Sequence, residues 1–378
     1  MLSQHPPEGV SLHPERWREA LDLLRGWCDA GKIPGAGLVV GRAGRMIEPQ
    51  FLGRMGVESE AAPLSSDTLF LIASITKPVV ALGVLRLAEQ GRLMLDDRVE
   101  EYIPEFGRAG THLVTIRNLL THTSGLPDML PDNFALRGQH APLSRFVEGA
   151  CQIELSFPPG RGVQYQSLGF ALLGEIIQRV SGMPASEFLR RELFEPLGMH
   201  DTALGAPDTW YAGAKPKIGR VARIRLPEEM QGTDWNWNSR YWQQLGVPWG
   251  GLITSPADLA KLALMLLSGG RVQGERLLSP TTIQAATRNQ LAEMPDVPEV
   301  ERRCRPWGLG WRLNWPAHSA NFGDFLGTRT FGHWGATGTL MWLDPETQSF
   351  LILLTTQPQE PRGNYLARFS NAALGAWE

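Results

Sequence analysis

The two ends of this chain read as strands and its middle reads as helices. That arrangement restricts the fold more than any single motif does. Near the N-terminus, Gly35-Ala36-Gly37-Leu38-Val39-Val40-Gly41 is short, apolar and closed by a turn, which suits a buried strand. Near the C-terminus, residues 340–343 and 350–355 flank the turn sequence Asp344-Pro345-Glu346-Thr347 and read as a strand pair. Each end also carries a helical pattern. Trp17, Ala20, Leu21, Leu24 and Trp27 share one face of a segment opened by Pro14 and closed by Gly31, and Tyr365, Phe369, Ala372 and Ala373 share another. Between residues 76 and 290 most periodic segments have helical spacing, including 79–93, 170–180 and 256–267. The last has a helix start in Ser255-Pro256-Ala257-Asp258 and a stop in Gly269-Gly270. The expectation is an α/β domain built from residues 1–78 and 300–378, with a mainly helical domain, 79–299, inserted into it.

A length of 378 residues suits about two domains, and 43% apolar with 20% charged residues suits a packed core. Lys plus Arg is 36 against 39 Asp plus Glu, a net charge of −3. So even a balance gives no general attraction to nucleic acid or anionic membranes. The three cysteines, Cys28, Cys151 and Cys304, form no CxxC pair and no disulfide framework, which favours a reducing compartment. Residues 1–7 lack a basic stretch followed by an apolar one, so no signal peptide is expected, and no apolar run is long enough for a membrane span. The expected location is the cytoplasm.

The most informative tetrapeptide is Ser74-Ile75-Thr76-Lys77. A serine three residues before a lysine at a helix start puts both side chains on one face. A serine hydroxyl is a poor nucleophile until a base takes its proton, and a lysine can do so when burial lowers its pKa. Free N–H groups of the helix start can hold a developing oxyanion, and Pro78 is tolerated only in such a first turn. The plain alternative is a capping serine followed by an exposed lysine.

Further elements accompany this tetrapeptide in order. Leu119-Leu120-Thr121-His122-Thr123-Ser124-Gly125-Leu126-Pro127 is followed by Phe157-Pro158-Pro159-Gly160, Tyr165, and Leu172-Leu173-Gly174-Glu175-Ile176-Ile177. Then come Pro196-Leu197-Gly198-Met199, Gly250-Gly251-Leu252 and Gly332-His333-Trp334-Gly335-Ala336-Thr337-Gly338. With these elements the chain resembles the serine β-lactamase and penicillin-binding-protein superfamily, above all its class C branch with the related carboxylesterases, transesterases and D-aminopeptidases. The resemblance implies an antiparallel sheet flanked by N- and C-terminal helices, an inserted helical domain, and an active site between them. It implies Ser74 as the acyl-forming nucleophile with Lys77 beside it, and Tyr165 as general base. The backbone N–H groups of Ser74 and Ala336 would form the oxyanion hole, and His333-Trp334-Gly335 the strand facing substrate. No cofactor and no metal is implied.

Two departures bear on substrate. The family's usual Tyr-x-Asn is Tyr165-Gln166-Ser167, and Ser167 offers one hydroxyl where the asparagine amide would meet both lysine and substrate. The usual Lys-Thr-Gly is His333-Trp334-Gly335, which replaces a permanent positive charge by an imidazole mostly neutral at pH 7. Both weaken recognition of anionic amide substrates and leave Ser74, Lys77 and Tyr165 intact.

Other residues invite other chemistry. His122 with Asp96 or Asp97 suggests a triad, but Ile72-Ala73-Ser74-Ile75-Thr76 is no G-x-S-x-G elbow, and a hydrogen-bonded structural histidine is the simpler reading. The eight histidines form no metal-binding pattern, and Cys151 reads as a small buried residue. Trp235, Trp237, Tyr241, Trp242 and Trp249 are crowded together. They either pack in the helical domain or line a pocket, in which case Trp242 and Trp334 would narrow the acyl site. Arg302, Arg303 and Arg305 read as a solvated basic face. The function expected is a serine hydrolase acting on a small-molecule ester or amide, a carboxylesterase or acyltransferase first and a D-aminopeptidase or weak β-lactamase second. The alternative of another class is a non-catalytic ligand-binding member of the fold.

Overall fold

The computed structural model describes residues 4–108, 110–315, 322–358 and 364–378. Its strands are β1 (Gln4–His5), β2 (Gly35–Arg42), β3 (Arg45–Ile47), β4 (Gln50–Gly53), β5 (Phe70–Leu71), β6 (Ala203–Leu204), β7 (Leu252–Thr254), β8 (Arg271–Val272), β9 (Glu275–Arg276), β10 (Arg312–Leu313), β11 (Phe331–Gly335), β12 (Thr339–Asp344) and β13 (Ser349–Thr355). The main sheet has eight strands in the order β1-β3-β2-β13-β12-β11-β10, with β4 also paired to β2. Its centre joins the two ends of the chain: β13 runs antiparallel to β2 with Leu351 opposite Val40 and Leu353 opposite Leu38.

Alternation along the central strands sends side chains to two separate cores. Ala36, Leu38 and Val40 of β2, Leu340 and Trp342 of β12, and Leu351 and Leu353 of β13 meet the helices Pro14–Asp29 and Asn364–Leu374. Val39, Met341, Leu343, Phe350, Ile352 and Leu354 point the other way, into the larger core shared with the helical segments. Both faces are covered, so these strands are apolar throughout rather than alternating with polar residues. Each fully buried Leu or Ile contributes about 2 kcal/mol, which makes this central block the strongest part of the frame. The two terminal helices meet edge to face, Trp17 on Phe369 at 6.4 Å and Trp27 on Tyr365 at 5.0 Å. The indole N–H of Trp342 donates to Ser370 Oγ at 2.9 Å and ties sheet to helix.

On the other face, the helix Thr76–Glu89 is buried along nearly its whole length and lies against the helices Leu168–Ser181 and Ala185–Leu189. The helix Pro256–Leu267 starts where expected, with Ser255 Oγ accepting from Asp258 N and Pro256 in the first turn, and it packs on β2 and β13. Gly37 is where this packing is closest: a Cβ there would lie 2.9 Å from the Phe70 ring and 3.0 Å from Pro256. Among the described residues no helix is long and apolar enough to cross a membrane.

Candidate active site

Ser74 lies in a single 3-10 turn, Ala73–Ile75, between β5 and the helix Thr76–Glu89. Ala73 has φ +45°, a conformation that costs an L-residue energy and marks a turn held by its surroundings. Those surroundings are specific. Ile72 N–H donates to Leu252 O at 3.0 Å, and Thr76 Oγ accepts from Leu252 N at 3.0 Å. The β11–β12 connection closes from the other side, where Thr337 Oγ donates to Leu71 O at 2.8 Å and Thr339 Oγ to Ile72 O at 2.9 Å. Gly335 fits only because it lacks a side chain, since a Cβ would lie 2.2 Å from Ile72 O. Ala336, next along, is exposed at this junction.

Lys77 is one turn beyond Ser74 and fully buried. Its Nζ donates to Ser74 Oγ at 3.0 Å and to Trp249 O at 3.0 Å, and it sits 4.6 Å from the centre of the Tyr165 ring. Burial lowers its pKa to about 7, with the more distant Asp128 carboxylate opposing the shift. Tyr165 is half-buried. Its phenol pKa is pushed well up by loss of water, with a hydrogen bond from Ser74 pulling the other way. Burial thus favours the protonated phenol at Tyr165 and the neutral amine at Lys77.

The turn around His122 holds Tyr165 in place. Gln166 N–H donates to His122 Nδ1 at 3.0 Å, and Gln164 N–H to His122 O at 2.9 Å. The His122 ring stacks on Tyr165 at 4.8 Å. His122 has φ +60°, and Gly125 has φ +83° with Phe157 O only 2.1 Å from where a Cβ would stand. Gln166 is buried, hydrogen-bonded through its side chain to Ser124 and the Leu119 carbonyl. The triad alternative fails on geometry, because Asp96 pairs with Arg117 and Asp97 accepts from Tyr102. His122 is a structural residue.

His333 is buried beside Tyr165, ring centres 6.0 Å apart, with Nδ1 2.6 Å from Trp334 O. A carbonyl only accepts, so Nδ1 carries the proton and Nε2 has a free lone pair. Burial and the nearby Lys77 bring its pKa down to about 3, so His333 is neutral across the working range.

Three expected substrate residues stand elsewhere. Trp334 alternates to the opposite sheet face and meets Phe322 edge to face at 5.7 Å, packed against the terminal-helix core. Trp242 is buried in the helix Arg240–Leu245, with the Arg137 guanidinium 4.2 Å over its ring. Neither ring contacts that of Tyr165 among the described residues. Ser167 is buried at the start of the helix Leu168–Ser181, its N–H donating to Asp128 O at 3.1 Å; the second anchor of Lys77 is the Trp249 carbonyl instead.

Sequence reasoning passed over Trp307 and Arg312. Trp307 lies 4.1 Å from the His122 ring, 6.0 Å from Tyr165 and 5.9 Å from His333, completing an aromatic enclosure. Arg312, across a bridge from Trp307, sits 5.3 Å over its ring and has no carboxylate partner among the described residues. Burial lowers its pKa to about 10, leaving it charged at neutral pH. The tract Pro306-Trp307-Gly308-Leu309-Gly310-Trp311 was the available signal, since aromatic residues between closely spaced glycines mark a tightly packed turn. Cys151 is buried with its thiol pKa raised to about 11, an inert side chain. Among the described residues no group of His, Cys, Asp and Glu could hold a metal ion.

Comparison with known proteins agrees with this architecture. The Beta-lactamase family model matches residues 19–374. Penicillin-binding protein 4 of Amycolatopsis lactamdurans is 31% identical over 85% of this chain and 79% of its own length. Esterase EstB of Burkholderia gladioli is 30% identical over 87% of each chain. A penicillin-binding protein homolog from Caulobacter crescentus superposes with a TM-score of 0.76 at 26% identity, covering 97% of this chain and 98% of that one. A match over nearly the whole length, on a fold that frames a buried lysine against a serine, makes this chain a serine hydrolase of the beta-lactamase family.

Proposed function

We propose that the protein is a carboxylesterase or acyltransferase for small acyl esters, working through an acyl-Ser74 intermediate. The observation that carries this reading is the 3.0 Å contact between Ser74 Oγ and a fully buried Lys77 with a pKa near 7. In acylation Ser74 Oγ attacks the ester carbonyl carbon while its proton passes to Lys77. The backbone N–H groups of Ser74 and Ala336 stabilise the oxyanion. The C–O bond then breaks, and the alcohol leaves with a proton delivered through Tyr165. Water or a second alcohol reverses these steps and frees Ser74. Esters are favoured over β-lactams because His333 is neutral where the family usually has lysine, and because Ser167 offers no amide.

A second reading is supported by Arg312, a guanidinium stacked over the Trp307 ring with no carboxylate partner among the described residues: amide or peptide substrates that carry a carboxylate. A fluorophosphonate probe followed by peptide mapping tests the shared chemistry. One adduct on Ser74, absent in Ser74→Ala, is expected, and no adduct on folded protein would overturn both readings. A panel of neutral esters against carboxylate-bearing amides then separates them.

A further inference from the structure

We propose that a groove behind the Trp307–Arg312 bridge is a second binding site, for a phosphorylated polyol of at least two negative charges. Leu313 N–H donates to Pro306 O at 3.2 Å, so these two segments form a short ribbon. Trp307 lies on its active-site side, while Pro306 and Leu313 line a groove of about 1030 Å³ on the other. None of Ser74, Lys77, Tyr165 or His333 borders it.

Four arginines, Arg288, Arg302, Arg303 and Arg329, line this groove against one acid, Glu299, in a chain whose net charge is −3. Three of them have partners only at long range: Arg288 to Glu293 at 3.6 Å, Arg303 to Glu299 at 3.7 Å and Arg329 to Glu346 at 3.9 Å. Such exposed pairs are weak and are readily exchanged for a bidentate phosphate contact. Arg302 has no ion pair among the described residues, and its Nε is buried without a partner. Trp315 Nε1 is a second buried donor without a partner. Asn314, 2% exposed, gives its amide N–H to Leu326 O at 2.7 Å, leaving Oδ1 as an unfilled acceptor. The arginine side chains that line the groove suit phosphate oxygens, while Thr281, Gln284 and Thr328 suit sugar hydroxyls. Of the basic run read from the sequence as a solvated face, Arg302 and Arg303 line this concave surface, whereas Arg305 does not.

Titration calorimetry at low salt with fructose 1,6-bisphosphate, pyrophosphate and fructose tests the site. The bisphosphate should bind and fructose should not. Affinity should fall at least about tenfold in the Arg302→Gln/Arg329→Gln double variant, and also as salt rises. Undiminished fluorophosphonate labelling of Ser74 would show that the variant is folded. Absence of bisphosphate binding, equal affinity in the double variant, or fructose binding as tightly would overturn the proposal. Pyrophosphate binding as tightly as the bisphosphate would overturn the polyol assignment.

Discussion

Lys77 Nζ stands 3.0 Å from Ser74 Oγ and 3.0 Å from Trp249 O, and among the described residues it makes no ion pair. A cation there has lost its water in exchange for a carbonyl, a hydroxyl and the faces of Tyr165 and Phe170, so loss of its proton becomes far easier than in water. Deprotonation is what the chemistry needs: an ammonium can only donate to Ser74, whereas an amine can take its proton.

The pH dependence follows with a defined sign. The pKa of Lys77 is about 7 in the folded protein and near its ordinary value when unfolded, so between these the unfolded state binds more protons. Stability gained from this residue should therefore rise as pH climbs from about 7 towards 10, and kcat/KM should rise through an acid limb near 7. Urea titrations at several pH values, wild type against Lys77→Met, check the first. The variant should lose this part of the slope, along with about 10²- to 10⁴-fold in kcat/KM.

Tyr165→Phe should slow turnover by about 10²-fold or more while leaving the acid limb of kcat/KM near pH 7. A limb that moved with this change would mean that the phenol, held protonated by burial, was the titrating base after all.

Trp242→Ala removes a ring packed beneath Arg137 and should destabilise the protein by about 3–5 kcal/mol. The preference for acyl-chain length should not change, as measured with acetyl, butyryl and octanoyl esters.

Arg312→Gln should leave KM for neutral esters within twofold or so, and raise KM for carboxylate-bearing substrates by about tenfold or more. Equal effects on both classes would show that Arg312 acts only through the packing of Trp307.

The frame was legible from Val39, Leu340 and their neighbours because a strand buried on both faces needs an unbroken apolar run, and such a run is local in sequence. Ser74 and Lys77 were legible for a similar reason, since three residues on one turn fix their own separation. The side taken by Trp334 was not legible because alternation depends on which face of β11 meets the site, a matter of register with β12. Trp242 stayed open between packing and pocket lining because both demand the same residue type. Trp307 and Arg312 escaped notice because they reach Tyr165 only through tertiary packing, and the Trp249 carbonyl because backbone atoms leave no trace in residue identity.

The pairing of β2 with β13 sets a schedule on synthesis. Gly35–Arg42 leaves the ribosome well before Ser349–Thr355 and must wait for all the helical segments between them before its partner emerges. Until then β12 has no neighbour on that side, and the Thr337 and Thr339 clasps on the nucleophile turn have nothing rigid behind them. Closing so long a loop is slow, and the reward comes only at the end. A chain that stops short of β13 therefore carries Ser74 and Lys77 without the strand that backs their clasp.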